Sequence, residues 1–85
     1  MLETYVSNFM EGVASEMETR KNFGNYIREK RKTAGLSQKE LAQQLFVSES
    51  AVSKWERGLS YPDMTLVTSL CEILHVSEHE LLTAS

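Results

Sequence analysis

The side chains best equipped for hydrogen-bond chemistry concentrate in residues 37–58, SQKELAQQLFVSESAVSKWERG. Val52 and Trp55 stand three apart, so on a helix they share the face that turns inward. That leaves Ser48, Glu49, Ser50, Ser53 and Lys54 facing outward. An ammonium such as Lys54 can donate to guanine O6 or N7, and a carboxylate such as Glu49 can accept from cytosine N4. Serine hydroxyls donate or accept, and so discriminate poorly alone. A solvated helix face is the plainer account of the same residues. The elements that carry them decide between the two.

Those elements show at their ends. Ser37 is followed three residues later by Glu40, a capping box in which hydroxyl and carboxylate satisfy otherwise orphan amides. Ser48 caps a second helix, although Ala51 at the third position leaves its box half built. Leu36 with Leu41, and Val47 with Val52, form hydrophobic staples around the two caps. The device recurs at Val76-Ser77-Glu78-His79-Glu80-Leu81. The pattern predicts a first helix over residues 23–34, capped by Asn22, with Phe23, Ile27 and Ala34 inward and Gly35 as a left-handed stop. Helices over 38–45 and 49–57 follow, the latter ended by Gly58. After the loop Leu59-Ser60-Tyr61-Pro62, Asp63 caps a fourth helix with Leu66, Val67, Leu70, Cys71 and Leu74 inward. A fifth spans 78–82, with Leu81 and Leu82 closing the core. No segment alternates as a strand would.

Ahead of these helices, Leu2, Tyr5, Val6, Phe9, Met10, Val13 and Met17 recur at three- and four-residue intervals, interrupted only by Gly12. Such an amphipathic stripe packs on its own domain, pairs with another chain, or belongs to a frayed arm. A disordered leader is the plainer alternative.

Ala42 falls on the inner face of the 38–45 helix, where a bulky side chain would keep the next helix from crossing closely. Leu41, Leu45, Val47, Val52 and Trp55 supply the apolar contacts that lock the crossing. In this the chain resembles the Cro/repressor-like helix-turn-helix family, the xenobiotic-response type of transcriptional regulator. The matching residues are Arg31, Gly35-Leu36-Ser37-Gln38, Glu40-Leu41-Ala42, Val47-Ser48, Val52-Ser53-Lys54-Trp55-Glu56-Arg57-Gly58, Pro62 and Val76-Ser77 with Leu81-Leu82. They span about residues 23–82. The resemblance implies an all-α, compact five-helix domain over 22–85, with 1–21 as an amphipathic extension. Phe46 departs from the pattern. It stands at a turn position where the family often has Gly, and where positive φ would strain a phenylalanine.

The same resemblance implies roles. Glu49, Ser50, Ser53 and Lys54 occupy the family's base-reading positions. Gln38 matches its phosphate-contacting glutamine at a helix N-terminus, where free amides and the helix dipole favour an anion. Lys39 beside it, the cap Ser48, and the loop hydroxyls of Ser60 and Tyr61 complete the phosphate-contacting set. Relatives often carry basic residues in that loop, so contact there is expected to be weaker here. Lys30 and Lys32 either steer the approach to DNA or simply solubilise their helix. Arg31 and Glu56 resemble the family's structural ion pair, joining the first helix to the end of the third.

Charge is distributed accordingly. The net −3 of this 85-residue chain divides into −2 over residues 1–21, +3 over 22–58 and −4 over 59–85. All the positive excess lies where phosphate would be met, and the acidic remainder disfavours indiscriminate coating of nucleic acid. Nothing suggests an enzyme, a cofactor or a metal. His75 and His79 are separated by the helix-breaking cap Ser77, Cys71 has no second soft ligand nearby, and no glycine loop could cradle phosphate. Cys71 is expected to be a buried, reduced thiol in a chain read as having no signal peptide, and no apolar run in the sequence approaches membrane-spanning length. The expectation is a cytoplasmic, sequence-specific regulator of double-stranded DNA, a repressor acting as a homodimer on a pseudo-palindromic operator. Its rival is a protein-interaction module, of antitoxin or anti-repressor type, whose protein partner docks on the stripe in residues 1–21.

Overall fold

Helix starts and stops set by side-chain chemistry divide the chain. The computed structural model describes residues 19–83. Helix α1 covers 19–33, followed by α2 (Gln38–Leu45), α3 (Glu49–Glu56), α4 (Met64–Leu74) and α5 (Glu78–Leu82). Among the described residues there is no strand, and the architecture is the all-α one expected. The apolar stripe from Leu2 to Met17 lies outside the described residues.

Helix α1 departs from expectation at both ends. Asn22 is not its cap: Thr19, Arg20 and Lys21 are already helical, and Asn22 sits exposed within the helix. None of those three residues breaks a helix, so Asn22 had no terminus to cap. Ala34 is exposed, because the buried stripe advances in four-residue steps through Phe23, Ile27 and Arg31 and passes it by. The stop is as expected. Gly35 takes φ 75°, its N–H donates to the Lys32 carbonyl at 3.0 Å, and the Leu36 N–H donates to the Arg31 carbonyl at 3.1 Å.

Two of the remaining connections are built alike. Leu45-Phe46-Val47-Ser48-Glu49 joins α2 to α3, and Leu74-His75-Val76-Ser77-Glu78 joins α4 to α5. The second residue of each is left-handed, with φ 58° at Phe46 and 57° at His75. The valine N–H then donates back to a helical carbonyl, Val47 to Ala42 at 3.0 Å and Val76 to Cys71 at 3.1 Å. The serine hydroxyl accepts from the amide three residues on, Ala51 at 3.1 Å and Glu80 at 3.0 Å. Phe46 therefore holds the backbone geometry anticipated for a glycine, with its side chain 95% exposed.

The core draws on every helix. Ile27, Leu41, Val52, Leu70 and Leu81 are its largest fully buried side chains, each contributing about 1.5–3 kcal/mol by leaving water. Ala42 and Trp55 are buried at the α2–α3 crossing, and Leu36, Val47 and Leu66 pack on the core from outside, half-buried. Leu82 corrects the sequence reading: it is 54% exposed, and Leu81 alone of that pair closes the core. Gly24, a residue that periodicity passes over, sets how closely α1 meets α3. A Cβ there would stand 2.4 Å from the Trp55 carbonyl oxygen and 2.7 Å from that of Glu56. Only a glycine lets α1 lie directly on the last turn of α3.

Candidate nucleic-acid interface

Helix α3 has one face committed to the core and one left open. Val52 and Trp55 are 0% and 4% exposed, whereas Glu49, Ser50 and Lys54 are exposed. No side-chain hydrogen bond or ion pair ties those three to any other described residue. Ser53 is half-buried, and its carbonyl accepts from Arg57 Nε at 3.3 Å. Ser48 is exposed, but its hydroxyl already holds the Ala51 amide. The Ser48 cap and the staple that precedes it fix the open face of α3, which carries Glu49 and Ser50 in its first turn and the Lys54 ammonium in its last.

The start of α2 is arranged for an anion. Ser37 Oγ accepts from the Glu40 amide at 3.0 Å, Glu40 Oε1 accepts from the Ser37 amide at 3.0 Å, and the Leu41 amide donates to the Ser37 carbonyl at 3.0 Å. The amides of Gln38 and Lys39 are left with no partner among the described residues, at the positive end of the helix dipole. The Ser37 amide, with help from its hydroxyl, holds the Glu40 carboxyl below the usual carboxylate range. Lys39 is exposed. The Gln38 side chain is half-buried, and its Nε2 donates to Glu56 Oε1 at 3.2 Å.

Behind this surface Arg31 and Glu56 form a bidentate pair, Nε to Oε2 at 2.7 Å and Nη2 to Oε1 at 3.0 Å. Both are buried, at 8% and 7% exposure. The hydrogen bond to Glu56 raises the Arg31 pKa further, against the opposing effect of burial. Arg31 Nη1 also donates to the Leu36 carbonyl at 2.9 Å, so one side chain joins α1, the α1–α2 turn and α3.

The loop after α3 differs from its sequence-level picture. Ser60 is half-buried. The Tyr61 ring stands edge-on to Phe23 with centroids 5.1 Å apart, and the Arg20 guanidinium lies 5.9 Å from its centroid. Arg20, Lys21 and Arg57 line a shallow groove beside Gly58 and Leu59. Cations are thus present next to this loop, Arg20 and Lys21 from α1 and Arg57 from the end of α3, rather than within the loop itself. A first helix starting after Asn22 leaves Arg20 and Lys21 outside it, which hides their reach back to Gly58. Lys30 lies against Tyr26, its Nζ 5.5 Å from the ring centroid.

Burial pushes the Cys71 thiol up, with Glu78 and Glu80 adding to the shift, which disfavours the reactive thiolate. Among the described residues no group of His, Cys, Asp or Glu could hold a metal, and no helix is long and apolar enough to cross a membrane.

Two short helices, the second held by a buried face and open along a polar one, define a helix-turn-helix unit. The helix-turn-helix family model matches residues 27–81. The chain is 38% identical over 61 residues to the HTH-type transcriptional activator BcrR of Enterococcus faecalis, a match covering 72% of this chain and 30% of that protein. Its fold is similar to the restriction-modification controller protein C.AhdI of Aeromonas hydrophila. The TM-score is 0.69 at 31% identity, over 75% of this chain and 97% of that one. It is equally similar to the P22 c2 repressor, solved in complex with a synthetic operator: TM-score 0.69, 32% identity, over 74% of this chain and 96% of that one. This chain belongs to the Cro/C1-type helix-turn-helix family of DNA-binding transcriptional regulators, a non-enzymatic class.

Proposed function

We propose that this chain is a cytoplasmic regulator that occupies a specific pseudo-palindromic operator as a homodimer, most simply as a repressor. The observation that carries this reading is the outward face of α3. Glu49, Ser50 and Lys54 are exposed and uncommitted on a helix fixed from behind by Val52, Trp55 and the Arg31–Glu56 pair. In this reading Glu49, Ser50, Ser53 and Lys54 meet base edges in the major groove. The Gln38 side chain and the amides of Gln38 and Lys39 hold a phosphate, assisted by Lys39, Ser48, Ser60 and Tyr61. One reading helix of eight residues spans only a few base pairs. A second copy on a half-site about 34–36 Å away supplies the remaining specificity.

Selection from a random pool of double-stranded DNA, followed by sedimentation of the saturated complex, tests the whole reading. The expected result is an inverted repeat bound by two chains. A non-repeated site saturated by one chain overturns the dimer, and no enrichment overturns operator recognition. Affinity measured against salt then separates the phosphate contacts. Lys39→Ala should flatten the slope by about one counterion, whereas loss of the neutral Gln38 should leave it nearly unchanged.

A further inference from the structure

Glu56 does more than neutralise Arg31. Its Oε1 accepts from Arg31 Nη2 at 3.0 Å and also from Gln38 Nε2 at 3.2 Å. One buried carboxylate at the end of α3 therefore holds the first side chain of α2. A carboxylate can only accept hydrogen bonds, so the end of the Gln38 amide that faces Glu56 is the nitrogen. A phosphate oxygen also only accepts. The amide nitrogen carries two protons: Glu56 takes one, and the other remains for an acceptor outside. The bidentate guanidinium of Arg31 compensates the charge of Glu56, which weakens repulsion between that carboxylate and a phosphate nearby.

We propose that Glu56 is a positioning residue for DNA binding, acting through Gln38. It holds the Gln38 amide in one rotamer and one orientation before DNA arrives, with a proton presented beside the amides of Gln38 and Lys39. Ordering a long side chain in advance removes an entropy cost that binding would otherwise carry. Because Glu56 is the last residue of α3, the same bond makes phosphate clamp and reading helix one rigid unit. The inference rests on the phosphate-holding role given to Gln38 above.

A double-mutant cycle on operator affinity tests it, using Gln38→Ala, Glu56→Asp and the pair combined. Glu56→Asp keeps a negative charge opposite Arg31 but withdraws the carboxylate from Gln38, and from Arg31 with it, by about one carbon–carbon bond, roughly 1.5 Å, so its folding is checked by thermal unfolding beside the affinity. Each single change should weaken binding to every sequence by roughly tenfold, leaving the preferred motif and the salt slope unchanged. The double variant should bind no more weakly than Gln38→Ala alone. Losses that multiply, or a folded Glu56→Asp protein with undiminished affinity, overturn the positioning role while the phosphate role of Gln38 stands. If Gln38→Ala leaves affinity intact while DNA is still bound, both fall and operator recognition survives. Side-chain amide relaxation in the free wild-type protein supplies a readout that needs no variant to fold. The Gln38 NH2 should be nearly as rigid as ordered backbone, with an order parameter of about 0.85, and a value below about 0.6 overturns the proposal.

Discussion

The α2–α3 and α4–α5 junctions share a sequence pattern, a left-handed residue, a valine back-bond and a serine cap, yet only one introduces the helix proposed to read DNA. What differs lies beyond the junction. Helix α3 runs eight residues and is anchored at its far end, where Gly24 admits α1 and Arg31 grips Glu56. Helix α5 runs five residues, buries only Leu81, and carries Glu78 and Glu80 in its first turn. Thr68 Oγ1 donates to Glu78 at 2.9 Å, and Tyr26 lies near Glu80, its phenol pKa raised chiefly by burial and then by that carboxylate. A helix turn of this design is a joint. Reading requires in addition a polar face with positive charge and an anchor that keeps that face in place.

Breaking the anchor should have the largest effect. Arg31→Ala or Glu56→Ala leaves a buried charge without its partner and should cost about 3–5 kcal/mol of stability in urea unfolding. On the other side, Glu78→Ala at exposed α5 should stay within about 0.5 kcal/mol. Comparable losses at the two sites would erase the contrast between the helices. Gly24→Ala should cost about 1–3 kcal/mol, since Cβ would meet backbone that cannot swing aside.

Next in size is a loss of recognition with stability intact. Lys54→Ala should cost about 1–3 kcal/mol of affinity on the preferred operator and relax the choice at one base pair, as read by competition across single-base variants. His79→Ala, on the exposed face of α5, should change neither affinity nor preference. Uniform weakening by Lys54→Ala would make it a phosphate contact and shift reading onto Glu49 and Ser50.

A smaller effect checks that the two joints are physically the same. Phe46→Gly and His75→Gly each relieve a side chain held at positive φ, at the expense of greater freedom in the unfolded chain. Each should raise stability, by at most about 1 kcal/mol, measured by thermal unfolding. A gain at one joint and a loss at the other would show that their strain differs despite the shared geometry.

The smallest effect is pH-dependent and concerns the helices that lead into the joints. Glu40 in α2 and Asp63 before α4 have lowered pKa values, through bonds from the amides of Ser37 and Thr65 respectively. A depressed folded value stabilises above the ordinary pKa and is lost as pH falls through the folded one. The stability difference between wild type and Glu40→Gln should therefore be constant above pH 4.5 and close below it. For Asp63→Asn the closure should begin below pH 3.8. A difference that persists into strong acid would mean that the ionised caps are not its source.

Local chemistry made much of this molecule legible. Ser37 with Glu40, Ser48, Asp63 and Ser77 marked four helix starts, because a cap bonds amides within three residues of itself. Three- and four-residue spacing identified the core positions of the described residues and wrongly added Ala34 and Leu82, both exposed where a helix ends and the stripe runs out. Asn22 misled because its type suits a cap, and single-residue chemistry is silent on whether the helix has already begun.

Four of the helix starts and the polar face of α3 were thus written in local chemistry, consequences of contacts within a few residues along the chain. Tertiary structure alone decided that Gly24 lets α1 rest on α3, that Arg20 and Lys21 reach the loop after α3, and that Gln38 leans on Glu56 across 18 positions. Those arrangements follow from how the helices cross. Crossing depends on the summed packing of the five described helices around a shared core, and no local pattern encodes that sum.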